Sequence, residues 1–160
     1  MKNEYFDFFT KNRKFENDEN NEIIIPQVFQ ICFKLAEVNS LEIINMVCLL
    51  NGLDDETKRL DMTQFIYDVI ISFYDHFPDV FFPTLLNNIN LIYPHAKQKT
   101  VDFLMPMLYN DQKVQQQLCD SLDSINIQNL KIFKEIYLLM IDEDEVFYNE
   151  KIMNKLNFSS

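Results

Sequence analysis

The chain has 160 residues, 14 basic against 25 acidic, a net charge of −11 and a hydrophobic fraction of 48 % that includes fifteen Phe. That much apolar surface offsets the entropy of ordering, which excludes a disordered chain, and the length fits about one domain, 1–160. The acidic field repels nucleic acid and anionic lipid, whose binding rests on Lys and Arg meeting phosphate, and it attracts basic proteins.

The periodicity predicts an all-α protein of seven or eight helices with short joints and no convincing strand. Met1–Lys14 reads as a first helix and Phe15–Glu22 as a polar, acidic loop. Pro26 suits the first turn of the next helix, where its missing N–H costs nothing. Ser40 is placed to cap a very apolar helix, Leu41–Leu50, and Asn51–Gly52 to end it, with Gly52 in the left-handed conformation of a C-cap. Asp54, Asp55 and Glu56 read as an acidic helix start and Asp61 as a second N-cap candidate. The helix through Phe77 carries a narrow polar stripe, Asp61, Gln64, Asp68, Ser72 and Asp75, so most of its surface should be buried. Asp79–Tyr93 follows, then Ala96–Tyr109, which Pro106 should kink or end early. Asp111–Asp123 reads as a surface helix with Val114, Leu118, Leu122 and Ile125 inward. Ile127–Ile141 reads as a mostly buried one with Gln128, Lys131, Glu135 and Asp142 outward. The run Asp142–Glu145 and a short helix, Val146–Leu156, close the chain. Short joints make sequential helices antiparallel neighbours, which allows a compact bundle or an irregular stack of helical hairpins.

Catalytic chemistry has little to stand on. One glycine, two histidines and no tryptophan leave no phosphate loop, nucleophile elbow or metal box. No catalytic residue, cofactor site or metal site is expected. Asp75–His76 are adjacent on a helix and point about 100° apart, so they form no dyad by themselves. Cys32, Cys48 and Cys119 belong to no CxxC pair and fit buried thiols in a reducing compartment; Asp120 beside Cys119 disfavours its thiolate. The N-terminus lacks an apolar signal core. The longest charge-free stretch, Val80–His95, is too short and too polar to span a membrane. The expected location is the cytoplasm.

Acidic side chains are the candidates for partner binding: Asp54, Asp55, Glu56, Asp61, Asp68, Asp75, Asp142, Glu143, Asp144 and Glu145. Asp61, Asp68 and Asp75 recur every seven residues, almost two turns, so they share a face at about 10 Å spacing. That spacing is too wide for a shared-proton dyad or a bridged metal pair, but it suits a ridge that accepts Lys or Arg. Asp54–Glu56, at a helix start, need no reason beyond the helix dipole. Asp142–Glu145 follow an apolar helix at its negative end. They either break a local stability rule for function or cap the next helix. Phe77, Phe81, Phe82, Tyr93 and Tyr109 gather around proline turns, where outward-facing rings would make binding anchors.

The hairpin from Phe82–Pro83–Thr84–Leu85–Leu86 to Phe103–Leu104, with the chain's size and charge, resembles the small acidic all-helical immunity proteins of bacterial toxin–immunity systems, some of them HEAT-like in build. A HEAT hairpin carries an Asp near its turn and a basic residue in its second helix. Here the turn has Pro94–His95, with Lys97, Lys99 and Asp102 in the second helix, a partial match. The resemblance implies a non-catalytic inhibitor that neutralises a cognate, basic toxin. The alternative is a Bcl-2-like adaptor that takes a partner helix in a groove. The Asn-Trp-Gly-Arg motif of its cellular members is absent, since Gly52 lies in Asn51–Gly52–Leu53.

Overall fold

The computed structural model describes residues 2–15, 21–37 and 42–157. Among them are nine α-helices, three short 3-10 turns and no strand, so the chain is all-α as its periodicity predicts. Its contacts gather into two units, Met1–Pro78 and Asp79–Ser160.

The first unit holds α1 (Lys2–Asn12), α2 (Asn21–Leu35), α3 (Asn45–Leu50) and α4 (Leu60–His76). All six residues of α3 are buried, and α1, α2 and α4 pack around it. A helix this short and apolar has no solvent face, so its stability comes from the helices that cover it. Two buried asparagines, Asn45 at its start and Asn51 just past its end, donate to backbone carbonyls of its neighbours. Asn45 Nδ2 donates to the Leu35 carbonyl (3.4 Å), and Asn51 Nδ2 donates to the Phe6 carbonyl (3.1 Å).

The structure departs from four local expectations. Pro26 sits inside α2 and not in its first turn; it is exposed, so water can reach the Glu22 carbonyl that loses its helical donor. Gly52 is not left-handed, for no described glycine has positive φ. Its need for a bare Cα is spatial: a Cβ there would stand 2.6 Å from Cδ1 of the fully buried Phe9. Asp54–Glu56 start no helix. They form a turn in which Thr57 N–H donates to the Asp54 carbonyl (3.1 Å), and α4 begins only at Leu60, with Arg59 at its N-cap position. Asp61 is therefore inside α4 and is not its N-cap residue. Ser40 and Leu41, the expected start of the third helix, lie outside the described residues.

The second unit holds α5 (Pro78–Asn87), α6 (Lys97–Leu108), α7 (Gln112–Ser121), α8 (Ile127–Glu143) and α9 (Glu150–Asn157). The helix expected over Asp79–Tyr93 stops at Asn87 and passes into a 3-10 turn, Ile89–Leu91. α8 is the core of the unit and packs against α6, α9 and the turns at Ile89–Leu91 and Glu145–Phe147. Gln128, Lys131, Glu135 and Asp142 face solvent, and Val114, Leu118, Leu122 and Ile125 are buried, as their spacing predicts. Side-chain caps fix the starts of α7 and α8: Asp111 accepts from Lys113 and Val114 N–H (3.0 Å each), and Asn126 accepts from Asn129 N–H (2.9 Å). Pro106 lies within α6, which ends two residues later at Leu108; Asn110 then takes the left-handed conformation that Asn tolerates.

Among the described residues no helix is long and apolar enough to cross a membrane.

Candidate protein-binding surfaces

The ten acidic candidates divide between the two units. In the first, Asp54 is withdrawn from solvent. It is 2 % exposed, its Oδ2 holds Arg13 Nε (3.0 Å) and its Oδ1 accepts Glu56 N–H (2.9 Å). Thr57 Oγ1 donates to the Arg13 carbonyl beside it (2.6 Å), so Asp54 serves to fasten the chain after α1 to the joint between α3 and α4. Asp55 is exposed, and Glu56 is exposed and paired with Lys14.

Asp61, Asp68 and Asp75 all emerge on the exposed face of α4, opposite the buried Met62, Ile66, Ile70 and Phe73. Their surroundings differ. Arg59 grips Asp61 through Nε to Oδ1 (2.9 Å) and Nη2 to Oδ2 (2.5 Å), and this contact lowers the Asp61 pKa from 3.8 to about 2. Asp68 Oδ1 accepts from Gln64 Nε2 (2.9 Å). Among the described residues no cation pairs with Asp68 or Asp75. Asp75 lies in the last turn of α4, where the helix dipole disfavours a carboxylate, so helix stability does not account for it.

Beside this acidic strip is an aromatic step. Phe65 lies four residues after Asp61 and three before Asp68, which puts it between them on the helix surface. Its ring meets Phe29 at 4.5 Å and Phe33 at 5.7 Å between centroids, and Phe33 is left 66 % exposed. The anchors expected at the proline turns mostly lie elsewhere: Phe81 and Phe82 are fully buried, Phe77 and Tyr93 are half-buried, and only Tyr109 is exposed. Sequence pattern missed Phe29, Phe33 and Phe65, because rings on a helix rich in apolar residues read as core.

In the second unit, Asp142–Glu145 are all exposed but not equivalent. Asp144 caps the turn Glu145–Phe147 through Oδ1 to Val146 N–H (3.0 Å), which realises the capping alternative for that residue. Glu143 accepts from Gln98 Nε2 (2.5 Å), and the same amide donates to Asp102 on α6 (3.1 Å). Asp102 and Asp144 line an open groove of about 400 Å³ with Met105, Pro106, Tyr109 and Phe147. Pro106 supplies no N–H, so the carbonyl of Asp102 also lacks its regular helical donor. A second groove of about 450 Å³ is lined with amides, Gln112, Gln115, Gln116 and Asn149, together with Glu150 and Lys151 of opposite charge.

No group of three or more His, Cys, Asp or Glu among the described residues could hold a metal ion. All three cysteines are buried free thiols; burial pushes Cys32 up to about 12 and also raises Cys119, so neither is a ready thiolate. The arrangement is suited to association: exposed rings and carboxylates on helices whose other faces are locked in a core.

The depressed pKa of Asp61 has a testable consequence. Its folded value lies below the ordinary 3.8, so the Arg59 contact stabilises the fold fully above about pH 4 and is lost as pH falls through about 2. Because Asp61 is exposed, the effect on stability is small. A carboxyl-carbon NMR titration should give a midpoint of about 2 for Asp61 and a return toward the ordinary value in Arg59→Met.

Compared with known protein families, curated proteins and solved structures, the chain matches none.

Proposed function

We propose that the chain is a non-catalytic binding module that captures a basic protein, acting in the cytoplasm as an inhibitor of the immunity type that covers its partner's functional surface. The observation that carries this reading is the aromatic step Phe29–Phe33–Phe65, with Phe33 exposed and the other two rings half-buried, set against Asp61, Asp68 and Asp75. Large rings that can be desolvated supply most of the binding energy at interfaces, and carboxylates around them set encounter rate and register. The net charge of −11 steers a basic partner from a distance, and Asp68 and Asp75, unpaired by any described cation, receive it at contact.

The two contributions separate kinetically. Asp68→Asn with Asp75→Asn removes charge from an exposed face and keeps the acceptor for Gln64, so folding stability should hold. Association with the captured partner at low salt should slow about tenfold. Phe33→Ser should instead speed dissociation, since it removes an anchor. Stopped-flow rates equal to wild type in both variants would overturn the reading. For the inhibitor role, co-expression should restore growth to cells that the partner harms, and a variant combining Phe33→Ser, Asp68→Asn and Asp75→Asn should restore less.

A further inference from the structure

We propose that the groove of the second unit is a docking site for a short, extended segment of a partner protein in which Arg or Lys alternates with an aliphatic side chain. The inference rests on the reading of the chain as a binder of basic proteins and assigns to it a second, separate point of contact.

The groove floor is apolar: Met105 and Pro106 from α6, Tyr109 just beyond it, and Phe147 from the turn after α8. The rings of Tyr109 and Phe147 stand 6.2 Å apart at 56°, and Tyr109 is 55 % exposed, so an aliphatic side chain has ring surface to cover. The rim is acidic. Asp102 and Asp144 line the groove itself, and Glu143 is tied to Asp102 through Gln98. Neither carboxylate is loosely held. The Gln98 amide fixes Asp102 against Glu143, and the cap to Val146 N–H orients Asp144, so little ordering entropy remains to be lost on binding. Lys99 on α6 stands 3.9 Å from Asp102, too far for a strong pair. The Asp102 carbonyl, deprived of its helical donor by Pro106, is one more acceptor for a guanidinium with five N–H donors.

Size and charge decide between occupants. A volume of about 400 Å³ lies near the low end of ligand pockets, which run from about 300 to 1,000 Å³, and has room for a few side chains but not the face of a docked helix. The acidic rim disfavours an acidic peptide and a phosphate.

The probe is an acetylated hexapeptide of alternating Arg and Leu, with Glu–Leu and Arg–Gly hexapeptides as controls, titrated into the full chain and followed by backbone NMR. The expected result is saturable shifts confined to the groove residues, binding at least about tenfold weaker for either control, and a further loss of about tenfold in Asp102→Asn with Asp144→Asn. Asn at both positions keeps the acceptors for Gln98 and Val146, so the variant should fold; unchanged spectra away from the groove verify that. Tyr109→Ala should weaken the Arg–Leu peptide and not the Arg–Gly one. Absence of groove shifts, or equal affinity of the double variant, would overturn the proposal. Neither result would touch the α4 surface, whose test is the association rate of Asp68→Asn with Asp75→Asn.

Discussion

Asp54→Ala is expected to lower the free energy of unfolding by about 2–4 kcal/mol, a large loss for an acidic residue in a chain that carries twenty-five. An exposed acid changed to Ala shifts stability by about half a kcal/mol at most. Asp54 is different because both its oxygens are used: one holds Arg13 at 3.0 Å, the other accepts Glu56 N–H at 2.9 Å. Removing it leaves the Arg13 charge in a partly buried place and opens the turn that Thr57 closes against the Arg13 carbonyl. Arg13 retains a quarter of its exposure, so water recovers part of the loss and the cost stays below that of a fully buried pair. Asp54→Asn should recover part of the loss, since it keeps the acceptor and surrenders the charge. Urea unfolding of the three proteins tests this; an Asp54→Ala midpoint equal to wild type would mean that Asp54 fastens nothing.

Gly52→Ala should cost about 1–3 kcal/mol for the addition of one methyl group. The new Cβ would stand 2.6 Å from Phe9 Cδ1 and 3.1 Å from the Leu49 carbonyl, and Phe9 is fully buried, so its ring has no open space to enter. Conformational strain plays no part, because Gly52 does not have positive φ. The diagnosis is therefore steric and should be relieved by a smaller neighbour. Phe9→Leu alone destabilises by leaving a void, but combined with Gly52→Ala the total loss should fall short of the sum by at least about 0.5 kcal/mol. Additive losses in denaturant would contradict a direct contact between α1 and the end of α3.

Much of the helical layout is legible from period and punctuation. Asp111 and Asn126 mark helix starts, the stripe Asp61–Gln64–Asp68–Asp75 marks the wet side of α4, and Val114–Leu118–Leu122–Ile125 marks the dry side of α7. Misreadings fall where a residue has two physical uses. Gly52 looks like a conformational device and is a spatial one. Asp54 looks like a helix-start charge and is a buried clamp, a choice that Arg13, forty-one residues away, decides. Pro26 looks like a first-turn residue and sits inside α2, whereas Pro106 lies within its helix as expected, two residues before α6 ends. The candidate surfaces were half legible. Spacing alone puts three carboxylates on one face of α4, but the exposure of Phe33, and the meeting of Asp102 with Asp144, depend on packing between helices that no local pattern reports.

The central claim is that this acidic face takes a basic protein. The most direct measurement is quantitative mass spectrometry of proteins retained from the source cells by the tagged chain and, in parallel, by Phe33→Ser/Asp68→Asn/Asp75→Asn, each at low and high salt. The account predicts one basic, stoichiometric partner, retained by the wild type at low salt, weakened by high salt and depleted by the variant. No partner at either salt, or one retained equally by both proteins, would contradict it.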